Sequence, residues 1–268
     1  MSKAIESPEA SNRRNFLKGV GATSVALAGA AVVGGIALPR TAKAATALSD
    51  TDILNFALNL EYLEAEVYCV AVTGKTLLQL GILTAAQQMG PTTGGRMVPG
   101  LASSTQAYVA KGLQHDEVAH VQLLRSALGS YAAHKPAINL DALGYGFNSP
   151  VDFLKLARQL EDVGTSAYLG AAPDITSKSY LATAGSILST EAKHSGCLRY
   201  ACAVYNVESP AVDSIDIPPS WNTLFGTSSQ GLVAPRTPSQ VLKIVYGGGS
   251  CSGGFYPNGL TGSVTCAG

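Results

Sequence analysis

Charge is scarce in this chain. Charged residues make up 13% of 268 positions, and the formal net charge is zero. Six of the 18 basic residues and two of the 18 acidic ones fall within the first 44 positions, so the remainder carries −4. No run of lysines or arginines occurs beyond residue 44. That absence argues against nucleic acid or an anionic membrane surface as partner. Aromatic residues are few apart from eleven tyrosines, and there are only five cysteines. Cys197 and Cys202 stand five apart in one helical stretch, a poor geometry for a mutual bridge. With Cys69 they read as buried thiols acting as small apolar side chains. Cys251 and Cys266 lie in a Gly-rich tail, where a disulfide between them would close a loop.

The apolar run in the N-terminal 44 residues is poor in bulky side chains and rich in alanine and glycine, which makes a poor lipid-facing helix. "SNRRNFLKG" is followed by the Ala/Gly-rich run "VGATSVALAGAAVVGGIAL" and then "AKA" at 42–44. A twin arginine, a weakly apolar run and a small-x-small site resemble a bacterial twin-arginine signal peptide, with cleavage expected after Ala44. The competing reading is a membrane anchor, since the run approaches spanning length. Such export carries folded proteins, often with a cofactor already inserted. The expected destination is periplasmic or extracellular, an oxidising compartment, with no membrane attachment after cleavage.

What the remainder does have is helical periodicity, over about 51–73, 104–129, 150–172 and 178–206. In the first stretch Leu54, Ala57, Leu58, Glu61, Glu64, Ala65, Tyr68 and Val72 share one stripe, and Asn55, Asn59 and Glu66 fall on the face expected to meet solvent. In the second the stripe is Ala110, Leu113, Glu117, His120, Val121, Leu124 and Leu128, with Lys111, His115 and Gln122 away from it. Leu154, Ala157, Glu161, Thr165 and Tyr168 align in the third, and Ala184, Ile187, Leu188, Glu191, His194, Leu198 and Cys202 in the fourth. His134, like His115, reads as a surface residue. Four long amphipathic helices predict an all-α four-helix bundle spanning 45–206. A crossover over about 130–149 lets non-consecutive helices pack together. The long connection at 73–103 reads as a lid or a short extra helix. From 207 to 268 the chain is rich in Pro, Ser and Gly and reads as an irregular wrap on the bundle. One short helix interrupts it, with Thr237 as cap, Pro238 at the first helical position and Gln240 completing a capping box.

Two of these helices carry the same motif. Residues 117–125 read "EVAHVQLLR" and residues 191–199 read "EAKHSGCLR". The other two carry a glutamate seven residues before a tyrosine, in "LEYLEAEVY" and "LEDVGTSAY". The chain is therefore two helical pairs of one plan, each offering a Glu and then a Glu-x-x-His. Residues i and i+3 are neighbours on a helix, so Glu117 with His120, and Glu191 with His194, can each aim two groups at one point. Glu61 and Glu161 complete four carboxylates and two imidazoles, the donor set of ferritin-like di-iron and di-manganese proteins. Oxygen-rich donors with two imidazoles suit two Fe or two Mn ions. Four core-facing carboxylates would cost several kcal/mol each if left unpaired. Two divalent cations would neutralise them. The alternative partners, Arg125 and Arg199, each lie eight residues from their own helix's glutamate, about 12 Å along the axis, and off the stripe.

Four further residues have two readings each. Glu64 is a bridging or alternative ligand, or else a partner for a tyrosine or arginine at the edge of the core, the plainer reading. Asp116 either accepts a proton from the His194 imidazole or is an ordinary surface aspartate. Tyr68 and Tyr168 either bond to ligand carboxylates or relay electrons, or simply pack with satisfied hydroxyls.

"ILNFALNLEYLEAEVY", the two Glu-x-x-His helices and the tail "PRTPSQVLKIVYGGG…GGFYPNGLTG" resemble ferritin-like proteins of the desiccation-related family over residues 50–262. "NLEYLEAEVY" is also similar to the first helix of ferritins, where the glutamate after Asn-Leu ligates metal, and this favours Glu61 over Glu64. The resemblance implies a ferritin-like bundle with a dinuclear site and leaves the reaction open. Two function classes follow. One is an exported stress-related redox enzyme, catalase-, peroxidase- or ferroxidase-like, acting on peroxide or dioxygen. The other is a non-catalytic protective protein whose metals are structural or lost. Either leaves room for a homo-oligomer.

Overall fold

Why the four helices start and stop where they do is written in their ends. The computed structural model describes residues 48–267; the expected signal peptide and its cleavage site lie outside them. Helix α1 (Asp50–Thr73) opens on a reciprocal Ser49–Asp52 capping box and closes on Gly74 in the left-handed region, whose N–H reaches the Val70 carbonyl. Helix α2 spans Gln106–Leu128. Helix α3 (Pro150–Ala171) is capped by Ser149 with proline at its first position, and α4 (Lys178–Val204) is capped by Ser177. Asp50 accepts hydrogen bonds from the Thr176 and Ser177 N–H groups, pinning the α3–α4 turn to the start of α1. These bounds match the periodic stretches, and the fold is an all-α ferritin-like bundle.

Helix α1 packs chiefly on α2, and α3 on α4, while α1 and α3 meet between the two pairs. The core between them holds Leu54, Leu58, Leu63, Leu113, Leu124, Phe153 and Leu198, all nearly or fully inaccessible. Each such leucine contributes about 1.5–3 kcal/mol relative to exposure. Among the described residues, no helix is long and apolar enough to cross a membrane.

The 73–103 connection contains no α-helix. It is ordered by two short 3-10 turns, Ala85–Gln87 and Leu101–Ser103, and by strand β1 (Thr92–Thr93). Strand β1 pairs in parallel with β2 (Ile138–Asn139) of the crossover. The connection runs along the C-terminal half of α1, with Leu77 N–H donating to Glu66 and Val98 N–H to the Ala71 carbonyl. Beneath it lies Lys135, fully buried, whose Nζ donates to Gly90 O, Thr92 Oγ1 and Pro136 O, 3.7 Å from Glu66.

The C-terminal segment wraps the bundle and carries helix α5 (Pro238–Val245), which has the expected Thr237–Gln240 capping box. It is bolted to α3 at two arginines. Arg158, with no exposed surface, donates from Nη1 to Asp216 at 2.7 Å and from Nη2 to the Ser209 and Pro210 carbonyls. Arg236 donates to Ser166 Oγ and to Asp213. At Gly170 the tail comes so close that an added Cβ would sit 2.0 Å from the Arg236 carbonyl oxygen. Only glycine fits there. A disulfide joins Cys251 and Cys266.

Three expectations fail for the same reason. Asn55, Asn59 and Glu66 are buried rather than solvated. Asn59 bonds Thr261 through both ends of its amide, and its carbonyl accepts from Tyr256 OH. Asn55 is occupied by the backbone of Tyr131 and Ala133. The polar face of α1 is covered by other chain: both asparagine amides are matched, and Glu66 accepts from Leu77 N–H with Lys135 Nζ 3.7 Å from its other oxygen. Cys197 also departs from expectation: it is exposed, whereas Cys69 and Cys202 are buried. Arg199 is buried because the tail caps it, donating to Asp162 and to the carbonyls of Ile217, Thr223 and Leu224.

Candidate metal centre

Glu61, Glu117, His120, Glu161, Glu191 and His194 converge at the middle of the bundle. All four carboxylates have no exposed surface. Their donor atoms fall into two groups, Glu61, Glu117, His120 and Glu191 in one and Glu117, Glu161, Glu191 and His194 in the other. Within each group every donor lies within 4.8 Å of the others. Glu117 and Glu191 belong to both. Each helix thus contributes as its motif predicts, with the glutamates of the two Glu-x-x-His helices shared.

Both imidazoles turn Nδ1 inward. His120 Nδ1 is 2.9 Å from Glu117, 3.2 Å from Glu61 and 3.4 Å from Glu191. His194 Nδ1 is 3.0 Å from Glu117 and 3.2 Å from Glu161. The tyrosines cross between halves: Tyr168 OH donates to Glu61 at 2.5 Å, and Tyr68 OH donates to Glu161 at 2.6 Å. Asp116 accepts at the outward face of His194, with Oδ2 3.0 Å from Nε2. Arg125 donates to Tyr62 OH, away from the cluster. The competing arginine pairing is therefore absent at both Arg125 and Arg199.

Polar satisfaction tests whether cations fit here. Both carboxylate oxygens of Glu191 and Oε1 of Glu117 are buried without an aligned hydrogen-bond partner. Leaving such groups unpaired is costly, and divalent cations would satisfy oxygens and charge together. The electrostatics agree. Burial and the neighbouring carboxylates push Glu191 well above the usual carboxylate range and Glu117 up to about 8. Burial alone would depress the imidazoles, but the facing glutamates overcome it and raise both, His194 to about 11. Burial also opposes ionisation of Glu61, yet bonds from His120, Glu117 and Tyr168 hold it below its ordinary value. A cluster that balances its charge only by holding protons is one that two divalent ions suit.

Glu64 is a fifth buried carboxylate, 4% exposed, raised well above its ordinary value by burial and by Glu191, Glu161, Glu117 and Glu61. Among the described residues no hydrogen bond joins Glu64 to a tyrosine or arginine: it faces the other carboxylates, within electrostatic reach of Tyr68, Tyr168 and Tyr256, and belongs to neither four-residue group. Opposite it stands Gly164, where an added Cβ would sit 2.6 Å from Glu191 Oε2 and 3.0 Å from Glu64 Oε1. Gly164 escaped the sequence reading although the repeat marks it: aligning Glu61 with Glu161 and Tyr68 with Tyr168 sets Glu64 against Gly164. One half carries the extra carboxylate and the other gives it room.

A helical bundle with paired carboxylate–histidine motifs facing one another across its core defines a class of protein, and the sequence falls within it. The ferritin-like domain family matches residues 49–203, more than half of the chain, and the chain belongs to that family. It is also similar to the ferritin-like catalase Nec2 of Nesocodon mauritianus, at 24% identity over 272 aligned positions covering 81% of this chain and 85% of the relative.

Proposed function

We propose that the chain is an exported dinuclear-metal protein that disproportionates peroxide, with two Fe or two Mn ions held by Glu61, Glu117, His120, Glu161, Glu191 and His194. The observation that carries this reading is the sharing of Glu117 and Glu191 by two complete groups of buried donors. The name of the Nesocodon relative supports peroxide as substrate over dioxygen. Disproportionation turns two peroxide molecules into two waters and one dioxygen, so no external reductant is needed. When bound, two redox-active ions supply the two-electron couple for this exchange.

The chain's own residues do the positioning. Tyr168 and Tyr68 each occupy one oxygen of Glu61 and Glu161, fixing those carboxylates so that the second oxygen faces the imidazoles. The core around the glutamates excludes bulk water and strengthens every charge interaction inside it. His120 and His194 retain slight exposure, at 8% and 10% of the side chain, so the histidine side of the centre is the one that meets solvent.

The test is to purify the protein without added metal, count metal per chain, and follow peroxide loss with dioxygen release. Two ions per chain and dioxygen release, both lost in Glu191→Ala, are expected. Bound metal that raises the melting temperature without turnover of peroxide or dioxygen would replace this reading with a structural, protective one. We also propose twin-arginine export of the desiccation-related type, checked by the mass of the exported chain, which should begin at Ala45.

A further inference from the structure

The internal repeat makes the two halves of the centre comparable residue by residue, and they differ on the outward side of the histidines. Asp116 immediately precedes Glu117 on α2, and the equivalent position before Glu191 on α4 is Thr190. Asp116 reaches across to α4, where its Oδ2 lies 3.0 Å from His194 Nε2, while its Oδ1 lies 2.9 Å from the exposed His115. Thr190 makes no reciprocal bond: its hydroxyl donates to the Ser186 carbonyl of its own helix. Nε2 of His120 has no protein hydrogen-bond partner among the described residues.

An imidazole that binds metal through Nδ1 carries its proton on Nε2. A carboxylate accepting that proton fixes the tautomer and the ring plane, and makes Nδ1 the stronger donor. Asp116 can do this for His194, and Thr190 is too short and already committed to do it for His120.

Taking the dinuclear reading as its basis, we propose that the two ion positions are unequal, and that the position bounded by Glu117, Glu161, Glu191 and His194 is the tighter and fills first. Asp116 is its positioning residue. The inequality is built into a pseudo-symmetric bundle by one substitution at equivalent places in the repeat. A second ion then enters a pocket whose two shared glutamates are already engaged, which widens the gap between the steps.

Titration of the metal-free mature chain with Mn(II), followed by the electron paramagnetic resonance signal of the free ion, tests this directly. The wild type should bind in two resolved steps of one ion each. His194→Ala should remove the tighter step and His120→Ala the weaker. Asp116→Asn should weaken the first step about tenfold to a hundredfold, and Asp116→Glu should recover part of the loss. Thr190→Asp should tighten the second step. With Co(II) as probe, a shifted exchangeable imidazole proton in slow exchange is expected in the wild type and lost in Asp116→Asn. Asp116 is part-exposed, at 40% of its side chain, so the Asp116 variants keep the fold. Two equal steps in the wild type, or steps unmoved by Asp116→Asn, would overturn this inference while leaving the dinuclear reading intact. Failure to bind any ion would overturn both.

Discussion

Helices α1 and α3 differ from α2 and α4 in what surrounds them. Eighteen of the 24 residues of α1 and 14 of the 22 of α3 are buried, against nine of 23 in α2 and seven of 27 in α4. The inner helices each give the centre one glutamate and one tyrosine. The outer helices each give a Glu-x-x-His. The groups that must be fixed sit on helices enclosed on every side, and the histidines sit on helices with a free flank. Enclosure comes from irregular chain: the crossover and long connection over α1, and the C-terminal wrap over both inner helices.

That contrast can be broken at the contacts that create it. The largest effect is expected from Asp216→Ala, which takes from the buried Arg158 guanidinium the nearer of its two carboxylate partners and leaves it Asp162 at 3.4 Å. Breaking a buried pair from one side costs about 3–5 kcal/mol, read as a lower urea midpoint. Next is Asn59→Ala, which removes the amide that Thr261 uses as both donor and acceptor and should cost about 1–3 kcal/mol. The loosened 256–262 segment should also show faster amide exchange. On the outer pair, Gln122→Ala has no comparable cover to lose and should stay within about 0.5 kcal/mol of wild type by the same urea assay. If the Gln122 and Asn59 variants behave alike, the distinction between enclosed and free-flanked helices is wrong.

The same contrast explains what could be read in the sequence. The stripes of α2 and α4 are legible because solvent does bathe the opposite flank: Lys111, His115 and Gln122 are exposed as their spacing predicts. The six donors are legible for a different reason. A carboxylate on an apolar stripe is anomalous whatever covers the helix, and four such anomalies in a repeated plan point to one centre. Periodicity fails on α1, where Asn55, Asn59 and Glu66 look solvated and are not. A hydropathy pattern records that a face is polar, and water and a matched set of backbone groups satisfy it equally well. The partners of that face come from Leu77 and from residues 131–135 and 256–261, and no local signal in α1 names them. Gly164 carries no sign in its own helix of the neighbour it accommodates; only the alignment of the two halves sets it against Glu64.

The contact between Asn59 and residues 256 to 261 spans about two hundred positions of chain. Such distant closure is slow, since the entropy of bringing the ends together is lost before the contact repays it. A nascent chain emerging from the ribosome can therefore assemble its first helical hairpin early but cannot seal it. The seal waits until residues 256–261 have been synthesised. Truncation anywhere before residue 256 leaves the Asn59 amide without its Thr261 partner, so that face of the first helix stays open until residues 256–261 have folded back onto it.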